Sequence, residues 1–445
     1  MKKKVLIVPS NTDLNRGDQS LTWESIEIAK DVFGQDVEVC LYKSGNRSSE
    51  ADNINSQTEQ LGHRILTRIL AHPRRNNRDT DVNYNKFVHL KWIFIALYDT
   101  IVTLMLLSKF KPFNKISNSL LSEEQKFTYK YFEELDFVIV KGGGFLHSYG
   151  SIMDPYVMYF QLFDVFLANK LNKKVCILPN SIGPFKNKLA RTIVKRAFAK
   201  SSFISVREGV SYQFIKGLGL ESHLTPDLGF YLKPSKEEFC DYLTSKGVNL
   251  NAERKIAITL RPYRFDGESD SDFLYKQYLN QFVEVIKGLT SKGYHVSLVA
   301  HTIGPSAHED DSIPLLEIYE KFKNNSFVTY LFDKALDCRD IEKMYSYYDL
   351  VIGTRFHSVI FSLNVDTPAI AIAYGGNKAV GIMNDMGLGQ YVLPIENPNA
   401  DVILQRADEI FGDKEAYLTK TRKYKEVLIQ KRAQMISIIQ SSLKK

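Results

Sequence analysis

The stretch that decides the fold is Leu350–Ser358, which reads LVIGTRFHS. Its first three residues are apolar and predict a buried strand, and Gly353 permits a tight turn. An apolar helix is predicted directly afterwards, over Phe356–Asn364. The pattern therefore places Arg355 and His357 in the first helical turn, at the carboxyl end of a strand.

Short apolar strands alternate with amphipathic helices on both sides of this stretch. The predicted strands are Val5–Val8, Phe137–Val140, Val175–Leu178, Phe203–Val206, Ile256–Leu260, His295–Ala300, Phe327–Leu331, Leu350–Ile352 and Ala369–Ala373. The predicted helices are Ser20–Lys30, Tyr156–Leu171, Leu189–Lys200, Asp272–Lys292, Ile313–Lys323, Asp340–Tyr347 and Phe356–Asn364. Continuous apolar strands separated by helices indicate parallel sheets covered on both faces. Because the pattern runs twice, we expect an α/β protein with two Rossmann-like, doubly wound domains.

The domain boundary is predicted at Leu224–Lys236, a proline-containing stretch that interrupts the pattern. We expect an N-terminal domain over 1–225, on the acceptor side, and a C-terminal domain over 226–400, on the donor side. The residues 401–445 are predicted to form helices that pack back on the first domain.

The composition is that of a globular protein with a small positive charge. A hydrophobic fraction of 44% and a charged fraction of 24% exclude a disordered or fibrous chain. The net charge of 58 − 51 = +7 is too small and dispersed for a nucleic-acid-binding protein, so we expect no nucleic-acid partner. The four cysteines lie far apart in the sequence, so neither a disulfide framework nor a metal site is expected. Reduced thiols, together with an N-terminal stretch unlike a signal peptide, indicate the cytoplasm.

A segment over 44–118 interrupts the alternation of the first domain. It is basic over Arg64–Arg78 and apolar over Trp92–Leu107. Because a spanning helix needs about 20 apolar residues and Asp99 lies within this stretch, a transmembrane span is disfavoured. Two interpretations stay open. One is an interfacial helix with basic flanks, contacting the inner face of the membrane through 64–111, and the other is a core helix of an insertion.

Polar and glycine residues of the first half follow predicted strands, where ligands of parallel sheets bind. Asp18 follows the first strand, and it either caps the next helix or accepts a proton from a substrate hydroxyl. Gly143 and Gly144 follow the second strand and allow a ligand to approach the backbone. His147 comes shortly after these glycines.

The next two strands of the first half also lead into candidate residues. Ser181 follows the strand Val175–Leu178. Arg207 ends a buried strand, where an arginine is costly unless it is paired. It therefore either pairs with Glu208 or binds a small anion through its guanidinium.

Several cationic groups of the second half are predicted at the carboxyl ends of its strands. They are Arg261, His301, Arg355, His357 and Lys378. A helix N-terminus attracts anions, whereas basic residues there oppose the helix dipole, which makes a purely structural role less favourable. Each residue alone is more commonly a surface residue, but together they indicate an acidic ligand.

Three common enzyme motifs are missing from the sequence. There is no GxxxxGKS or GxxxxGKT phosphate loop, no HExxH and no GxSxG. ATP hydrolysis, zinc proteolysis and the commonest serine-hydrolase arrangement therefore lose support.

The chain resembles the polysaccharide pyruvyltransferase family. The matching motifs are Arg16-Gly17-Asp18, Gly142-Gly143-Gly144, Ser181-Ile182-Gly183-Pro184, Ser205-Val206-Arg207-Glu208, Thr225-Pro226-Asp227, Gly353-Thr354-Arg355-Phe356-His357-Ser358 and Tyr374-Gly375-Gly376-Asn377-Lys378. They occur in the family's order and span most of the chain. The resemblance implies a fold like that of GT-B glycosyltransferases, with the site in a cleft between two domains.

The resemblance also implies the reaction. The donor is phosphoenolpyruvate, and the acceptor is a sugar of a cell-surface polysaccharide or of its lipid-linked precursor. The product is a pyruvate ketal across two hydroxyls, and phosphate is released. Neither a metal nor a cofactor is implied. The segment 44–118 departs from the shorter family pattern, so the resemblance specifies the acceptor less well than the donor.

Residue roles follow from this chemistry. The donor is expected to be held by cationic groups, namely Arg207, Arg355, Lys378 and the first helical turn around His357. His357 is the candidate acid or phosphate ligand, and either Asp18 or His147 is the candidate base. The other candidate substrate contacts are Gly143, Gly144, Ser181, Arg261 and His301.

Two other functions fit the same architecture. One is a glycosyltransferase that uses a nucleotide sugar, for which no acidic ribose-binding residue is obvious in the sequence. The other is a non-catalytic assembly protein that binds an acidic glycan at the membrane surface through the same cations. Release of phosphate from phosphoenolpyruvate, compared with release of UDP from a nucleotide sugar, distinguishes the three.

Overall fold

The computed structural model describes residues 2–10, 13–43, 57–74, 86–304, 308–374 and 377–444. Two parts of the predicted insertion, 44–56 and 75–85, therefore lie outside the described residues. The two glycines of the motif that starts at Tyr374 also lie outside them.

The first sheet is parallel and has eight strands. Its strands are β1 (Lys4–Val8), β2 (Glu38–Tyr42), β3 (Arg64–Leu66), β4 (Phe137–Val140), β5 (Gly143–Ser148), β6 (Lys174–Phe185), β7 (Phe203–Val206) and β8 (His223–Leu224). They lie in the order β3-β2-β1-β4-β6-β7-β8, and β5 pairs with β6. All residues of β4 and β7 are buried, as expected for the strands of a sheet covered on both faces.

The helices that accompany this sheet begin close to where the apolar periodicity begins. They are α1 (Arg16–Phe33), α2 (Gln57–Gln60), α3 (Lys86–Leu107), α4 (Lys111–Leu120), α5 (Glu123–Glu134), α6 (Asp154–Lys170), α7 (Lys188–Phe198) and α8 (Gly209–Gly217). Local capping sets several starts. Ser122 forms a capping box with Gln125 at α5, and the Asn187 side chain accepts hydrogen bonds from the first amides of α7.

The second sheet is also parallel and has six strands. They are β9 (Lys255–Thr259), β10 (His295–Val299), β11 (Val328–Leu331), β12 (Leu350–Gly353), β13 (Ala369–Ala373) and β14 (Val392–Pro394), in the order β11-β10-β9-β12-β13-β14. The helices of this part are α9 (Cys240–Ser245), α10 (Ser271–Ser291), α11 (Ser312–Phe322), α12 (Cys338–Tyr345), α13 (Phe356–Asn364), α14 (Asn377–Asp385), α15 (Ala400–Gly412) and α16 (Lys414–Lys444).

Both sheets reverse their direction of growth once. In the first sheet the chain adds β2 and β3 on one side of β1, then returns to add β4 on the other side. The second sheet repeats this around β9, with the return at β12. Ligands of doubly wound folds bind at the carboxyl ends of strands where the order reverses. The predicted class, two doubly wound α/β domains, is confirmed, and this topology marks the loops after β1, β4, β9 and β12.

The chain divides into two compact units. The described residues of the first unit lie within Met1–Thr12, Leu21–Leu228 and Lys431–Lys445. The second unit comprises Asp13–Ser20 and Gly229–Gln430. The division after Leu228 lies three residues beyond the predicted end of the first domain at residue 225, and only the last part of 401–445 belongs to the first unit.

The last part of α16 is held in the first unit by contacts that include the ion pairs of Arg432, which is partly buried. The Arg432 guanidinium donates to Glu24 Oε1 through Nη2 at 2.7 Å and through Nε at 2.9 Å. It also donates to Asp31 Oδ2 at 2.7 Å. Burial raises the pKa of Glu24 to about 7, although the charge of Arg432 opposes this shift.

The predicted apolar stretch of the insertion is helical. It lies within α3, which has 22 residues and is the one helix in the described part of the chain that is long and apolar enough to cross a membrane. Length and composition alone make this weak support for a span, because the core helix of a soluble protein meets the same criterion.

Candidate active site

Helix α13 begins in the second unit without a side-chain cap. Arg355 occupies the N-cap position in an extended conformation, and its side chain makes no capping hydrogen bond in the described structure. The Thr354 hydroxyl donates to the Thr259 carbonyl at 3.0 Å and accepts from the Arg261 amide at 2.8 Å. The threonine thus joins the loops after β9 and β12. The Ser358 amide donates to the Arg355 carbonyl at 2.9 Å, and the positive end of the helix dipole makes the start of α13 a favourable place for an anion.

Arg355 is part of a buried ion pair. Its Nε and Nη2 donate to Asp311 Oδ1 at 2.9 and 2.7 Å, and the Asp311 side chain is fully buried. Asp311 Oδ2 accepts from the amides of His301 and Thr302. Burial opposes the charge on Arg355, but Asp311 outweighs it, so the pKa of the guanidinium lies above its ordinary value. The arginine is therefore a fixed cation at the start of α13, with two of its nitrogens engaged by Asp311.

His357 lies in the first turn of α13 and is in close contact with Gly17. A Cβ atom placed on Gly17 would lie 2.2 Å from Nδ1 of His357 and 2.6 Å from its Cγ. Only glycine therefore allows the imidazole to lie where it does, because real Cβ contacts are essentially never shorter than 3.0 Å. The glycine of the Arg16-Gly17-Asp18 motif is explained by this contact.

The segment Asp13–Ser20 is held to the rest of the second unit by backbone and arginine contacts. The amide of Ile303 donates to the Leu14 carbonyl at 2.8 Å. Arg16 is buried, and its guanidinium donates to the carbonyls of Asp13 and Lys334. Burial lowers the pKa of Arg16, although nearby acidic groups oppose this. The motif of the first loop thereby becomes part of the second unit's site.

Asp18 does not cap helix α1. The Asn15 side chain does so, since its Oδ1 accepts from the amides of Gly17 and Asp18 at 3.0 and 3.2 Å. Asp18 lies in the first turn of α1, in the same unit as His357. The prediction that Asp18 caps the helix is thus wrong. The other prediction, that Asp18 accepts a proton from a substrate hydroxyl, stays a prediction.

His301 is a buried, neutral neighbour of these cations. It is 1% exposed, and neither ring nitrogen has a hydrogen-bond partner among the described residues. Burial, with the charges of His357, Arg355 and Arg16, holds the pKa of His301 well below its ordinary value. His301 therefore adds no positive charge near neutral pH, unlike Arg355.

Arg261 and Tyr374 form a second cationic part of the site. The Arg261 guanidinium lies 4.0 Å from the Tyr374 ring centre, and its Nε and Nη1 have no hydrogen-bond partner among the described residues. Lys378 Nζ lies 5.4 Å from the Phe356 ring centre. Desolvation raises the pKa of Tyr374, but the charges of Arg261, Arg355 and Lys378 outweigh it and hold this pKa below its ordinary value.

The second unit thus brings its predicted site residues to one edge of its sheet. His301, Arg261, Arg355 and Lys378 follow β10, β9, β12 and β13, which are neighbours in the sheet. The arrangement is suited to a small anion at the start of α13, with fixed cations around it. In the described ranges, no group of three or more His, Cys, Asp or Glu side chains is placed to hold a metal ion.

Arg207 belongs to the first unit, whereas Arg355 and His357 belong to the second. Its Nη1 donates to buried Asp227 at 2.6 Å, and its Nε donates to Ser181 Oγ at 2.6 Å. Glu208, the partner suggested by the sequence, lies farther away, with 3.9 Å between its Oε2 and Arg207 Nε. The arginine therefore joins the ends of β6 and β7 to the Thr225-Pro226-Asp227 motif.

The glycine-rich turn of the first unit lies next to this arginine. A Cβ atom on Gly144 would lie 3.0 Å from Arg207 Nη2. The turn leads into strand β5, and not into a helix. His147 lies on β5, where its Nδ1 is 3.0 Å from the Gly144 carbonyl oxygen and its ring is 4.9 Å from that of Tyr149. Gly144, Ser181 and Arg207 are thus neighbours in the first unit, with His147 beside Gly144.

Sequence reasoning missed three residues of these sites. Lys141 is fully buried after β4, with Nζ 3.2 Å from Thr22 Oγ1. Asp311 lies 44 residues before Arg355, so nothing in the local pattern pairs them. Arg16 was noted only within its motif. Lys141 could have been found from its position directly after the apolar strand that ends at Val140. A charged residue in such a place is buried and needs a polar partner.

Comparisons with known proteins point to one family. A family model described as polysaccharide pyruvyl transferase matches residues 15–376. The amylovoran biosynthesis protein AmsJ of Erwinia amylovora is 26% identical over 305 residues, which cover 65% of this chain and 69% of AmsJ.

Solved structures share the fold at low sequence identity. A putative UDP-N-acetylglucosamine 2-epimerase from Listeria monocytogenes has a TM-score of 0.56 at 10% identity, covering 95% of this chain and 91% of its own. HepE from Anabaena, in complex with UDP and glucose, has a TM-score of 0.52 at 11% identity, covering 100% of both chains. UGT2 from Phytolacca americana has a TM-score of 0.54 at 10% identity, also covering 100% of both. These likenesses show the GT-B-like fold that the resemblance implied.

The family model covers most of the chain, including the loops of both sheets that carry the candidate residues. The motifs quoted from the sequence lie within it up to residue 376. The chain belongs to the polysaccharide pyruvyl transferase family.

Proposed function

We propose that this protein transfers pyruvate from phosphoenolpyruvate to two hydroxyls of a sugar, forming a ketal and releasing phosphate. The acceptor belongs to a cell-surface polysaccharide or to its lipid-linked precursor. Membership in the family supports a transferase. The likeness to a protein named for amylovoran biosynthesis supports a polysaccharide as the acceptor class.

The observation that carries the proposal is the uncapped N-terminus of α13 beside Arg261. Phosphoenolpyruvate is small and carries a phosphate and a carboxylate, so it needs several fixed donors. The Nε and Nη1 atoms of Arg261 supply such donors, and the positive end of the α13 dipole lies in the same unit. Arg355 and Lys378 add positive charge. We assign the donor to this site.

The reaction then proceeds through two attacks on one carbon. Protonation of the methylene carbon C3 makes C2 electrophilic, and the oxygen of one sugar hydroxyl bonds to C2 and loses its proton. The C2–O bond to phosphate breaks, and the phosphate leaves with that electron pair. The second hydroxyl bonds to C2 and loses its proton, which closes the ketal. Of the two protons released by the hydroxyls, one replaces the proton given to C3 and the other is taken up by phosphate.

His357 is the proposed acid or phosphate ligand, because it lies in the first turn of α13. The contact with Gly17 fixes the position of its ring. Asp18, in the same unit, is the proposed base for the acceptor hydroxyl. His147 is the alternative base. Arg207, with Ser181 and the glycine-rich turn, is proposed to contact substrate from the first unit.

The test is release of phosphate from phosphoenolpyruvate in the presence of a glycan acceptor. We expect His357→Ala to lower the rate by roughly a hundredfold to ten-thousandfold, the usual range for a positioned acid or base. Its melting temperature should remain near that of the wild type, because His357 is only partly buried. His89→Ala, at an exposed position of α3 in the first unit, is the matched control and should keep the wild-type rate. Wild-type turnover by the His357 variant would refute the assignment.

The rival within enzymes, transfer from a nucleotide sugar, predicts a different product. Release of UDP from a sugar nucleotide, without release of phosphate from phosphoenolpyruvate, would replace the proposal with that function. Binding of glycan without either product would favour the non-catalytic assembly protein.

A further inference from the structure

Helix α3 presents apolar side chains on two opposite faces. One face carries Ala96, Val102 and Leu106, which are buried. The other face is exposed and carries Leu90, Phe94, Leu97, Ile101 and Leu104. With about 3.6 residues per turn, the two sets lie roughly half a turn apart. A surface helix of a soluble domain has polar residues on the face away from the core, so the exposed apolar face needs a partner.

Helix α4 also carries an exposed apolar face. Its residues Phe113, Ile116 and Leu120, spaced by three and four, are exposed. The helix packs on α3, since Ser117 Oγ donates to the Val102 carbonyl at 2.8 Å and Asn114 Nδ2 donates to the Met105 carbonyl at 3.0 Å. We call these three side chains and the five exposed ones of α3 the α3–α4 surface.

Helix α3 is attached to the domain along its second half. The Tyr159 hydroxyl of α6 donates to Thr103 Oγ1 at 2.9 Å. Lys170, at the end of α6, donates to the Leu106 carbonyl and to Asn114 Oδ1. A helix that left the domain to cross a bilayer would lose these partners and bare its buried face. The contacts therefore favour a helix that stays on the domain and meets its partner sideways.

The charges of the segment that forms the α3–α4 surface are mainly positive. Residues 86–121 contain five lysines, and Asp99 is the one acidic residue among them, which gives 5 − 1 = +4. All five lysines are exposed, and they are Lys86, Lys91, Lys109, Lys111 and Lys115. An apolar helix face with lysines at its flanks is typical of helices that lie in the interface of an anionic bilayer.

A second copy of the chain fits these observations less well. In a twofold dimer the same patch meets itself, so the five lysines of one copy would face those of the other. Protein interfaces are also depleted in lysine. We propose that the α3–α4 surface docks on a bilayer of anionic lipid, with its apolar side chains at the acyl boundary and its lysines among the headgroups. The proposal does not rest on pyruvyl transfer, and docking there would give the enzyme access to a lipid-linked acceptor.

The first experiment measures sedimentation of the full chain with vesicles. We expect binding to vesicles of phosphatidylglycerol and phosphatidylcholine, and much weaker binding to phosphatidylcholine alone. Replacing Lys109, Lys111 and Lys115 by Gln should weaken binding to the anionic vesicles by roughly a hundredfold. The double variant Phe94→Gln/Ile101→Gln should also lose binding. Phe273→Gln is its matched control, because Phe273 is 60% exposed and Phe94 is 63% exposed.

A second experiment locates the contact without removing apolar area. Phe94→Trp and Phe273→Trp each add one indole to the two native tryptophans, Trp23 and Trp92. Brominated anionic lipid should quench the added emission of Phe94→Trp and not that of Phe273→Trp. Failure of the wild type to sediment with anionic vesicles would overturn the proposal. So would equal quenching of the two reporters, or a dimer that Phe94→Gln/Ile101→Gln dissociates in the absence of vesicle binding.

Discussion

The contact between Gly17 and His357 can be tested by adding a single carbon atom at residue 17. Its missing side chain leaves the space in which the His357 ring lies. Gly17→Ala places a Cβ at 2.2 Å from Nδ1, so the ring or the loop must move. We expect phosphate release to fall by roughly a hundredfold, because a displacement of about 1 Å costs that much in a positioned reaction.

The control for Gly17→Ala is another glycine of the second unit. Gly381 lies in helix α14, and a Cβ atom placed there meets nothing within 4 Å. Gly381→Ala should keep activity and raise helix stability by about 0.5–1 kcal/mol. Full activity of Gly17→Ala, with melting temperatures like the wild type in both variants, would show that the ring position does not matter.

Arg261 is the residue on which donor affinity should depend. Its Nε and Nη1 have no hydrogen-bond partner among the described residues, so a ligand is their expected acceptor. Arg261→Ala should raise the KM for phosphoenolpyruvate by roughly tenfold to a hundredfold, the range for hydrogen bonds to a charged group. Arg264→Ala, in the same loop but 56% exposed at its side chain, is the matched control.

The same variant has a readout that needs no turnover. Arg261 is the first of the cations that hold the pKa of Tyr374 below its ordinary value, so its removal should raise that pKa. The phenolate absorbance, with Tyr374→Phe subtracted, measures this directly. An unchanged KM together with an unchanged Tyr374 titration would remove Arg261 from the site.

The candidate residues were predictable from the sequence where they directly follow an apolar strand. Arg355, His357, Arg261 and Arg207 all lie in such positions. Their carboxylate partners were not predictable, because Asp311 and Asp227 are distant in sequence and are brought close only by packing. The sequence suggested Glu208 for Arg207, since a neighbour in sequence is the simplest partner, but the buried carboxylate of Asp227 is closer.

At the scale of elements, strands β6 and β7 depend on the ion pair at their carboxyl ends. Arg207→Ala would leave the fully buried Asp227 without its cation, which costs about 3–5 kcal/mol of unfolding free energy. Loss of activity in that variant therefore mixes instability with chemistry. Asp227→Asn in the Arg207→Ala background should restore most of the stability, because the unpaired carboxylate is gone.

Urea unfolding of the wild type, of Arg207→Ala and of the double variant measures this coupling. If the double variant is stable and still inactive toward phosphoenolpyruvate, Arg207 acts on substrate as proposed. If the double variant regains wild-type activity, the arginine has a structural role only. A single variant as stable as the wild type would contradict the buried pair itself.

Most strands and helices were predictable to within a few residues. Phe137–Val140, Phe203–Val206 and Ala369–Ala373 match β4, β7 and β13, and Phe356–Asn364 matches α13. Strand β6 is longer than predicted, since it continues to Phe185, and its residues Asn180, Ile182 and Phe185 pair with β5. Strand β5 itself was missed because glycines give no apolar signal. Hydrogen bonding to β6 stabilises β5 as a strand, although its own sequence has a low propensity for one.

At the scale of the whole molecule, the two doubly wound units were predictable and one detail of their make-up was not. Apolar strands alternating with helices specify a parallel sheet, and a pattern that runs twice specifies two. The assignment of Asp13–Ser20 to the second unit could not be anticipated, because it depends on Arg16 and on backbone contacts with residues far along the chain.

The return of the C-terminal residues to the first unit gives a pH-dependent prediction. Glu24 has an ordinary pKa of 4.5 and a folded-state pKa of about 7. Between these two values the folded state therefore binds more protons than the unfolded state. The contribution of this carboxyl to the free energy of unfolding falls as the pH rises from 4.5 to 7 and is constant above pH 7. Arg432→Ala removes the opposing cation and raises the folded pKa, so the loss should continue above pH 7 by up to about 1.4 kcal/mol per pH unit.

Urea unfolding of the wild type and of Arg432→Ala between pH 5 and pH 9 checks this prediction. Glu24→Gln in the Arg432→Ala background should abolish the added pH dependence. Arg406→Ala, which breaks the ion pair with Glu409 at the surface, should show no added pH dependence. Parallel pH profiles of wild type and Arg432→Ala would contradict the buried pair.

The central claim is that phosphoenolpyruvate donates a pyruvyl group to a glycan. The most direct measurement is to incubate the protein with phosphoenolpyruvate labelled at C2 and a glycan acceptor, and to follow the label by NMR and mass spectrometry. We predict one phosphate released per label transferred, with the labelled carbon bonded to two oxygens of one sugar, and no transfer by His357→Ala. Absence of label in the glycan, with UDP released from a sugar nucleotide in its place, would contradict the account.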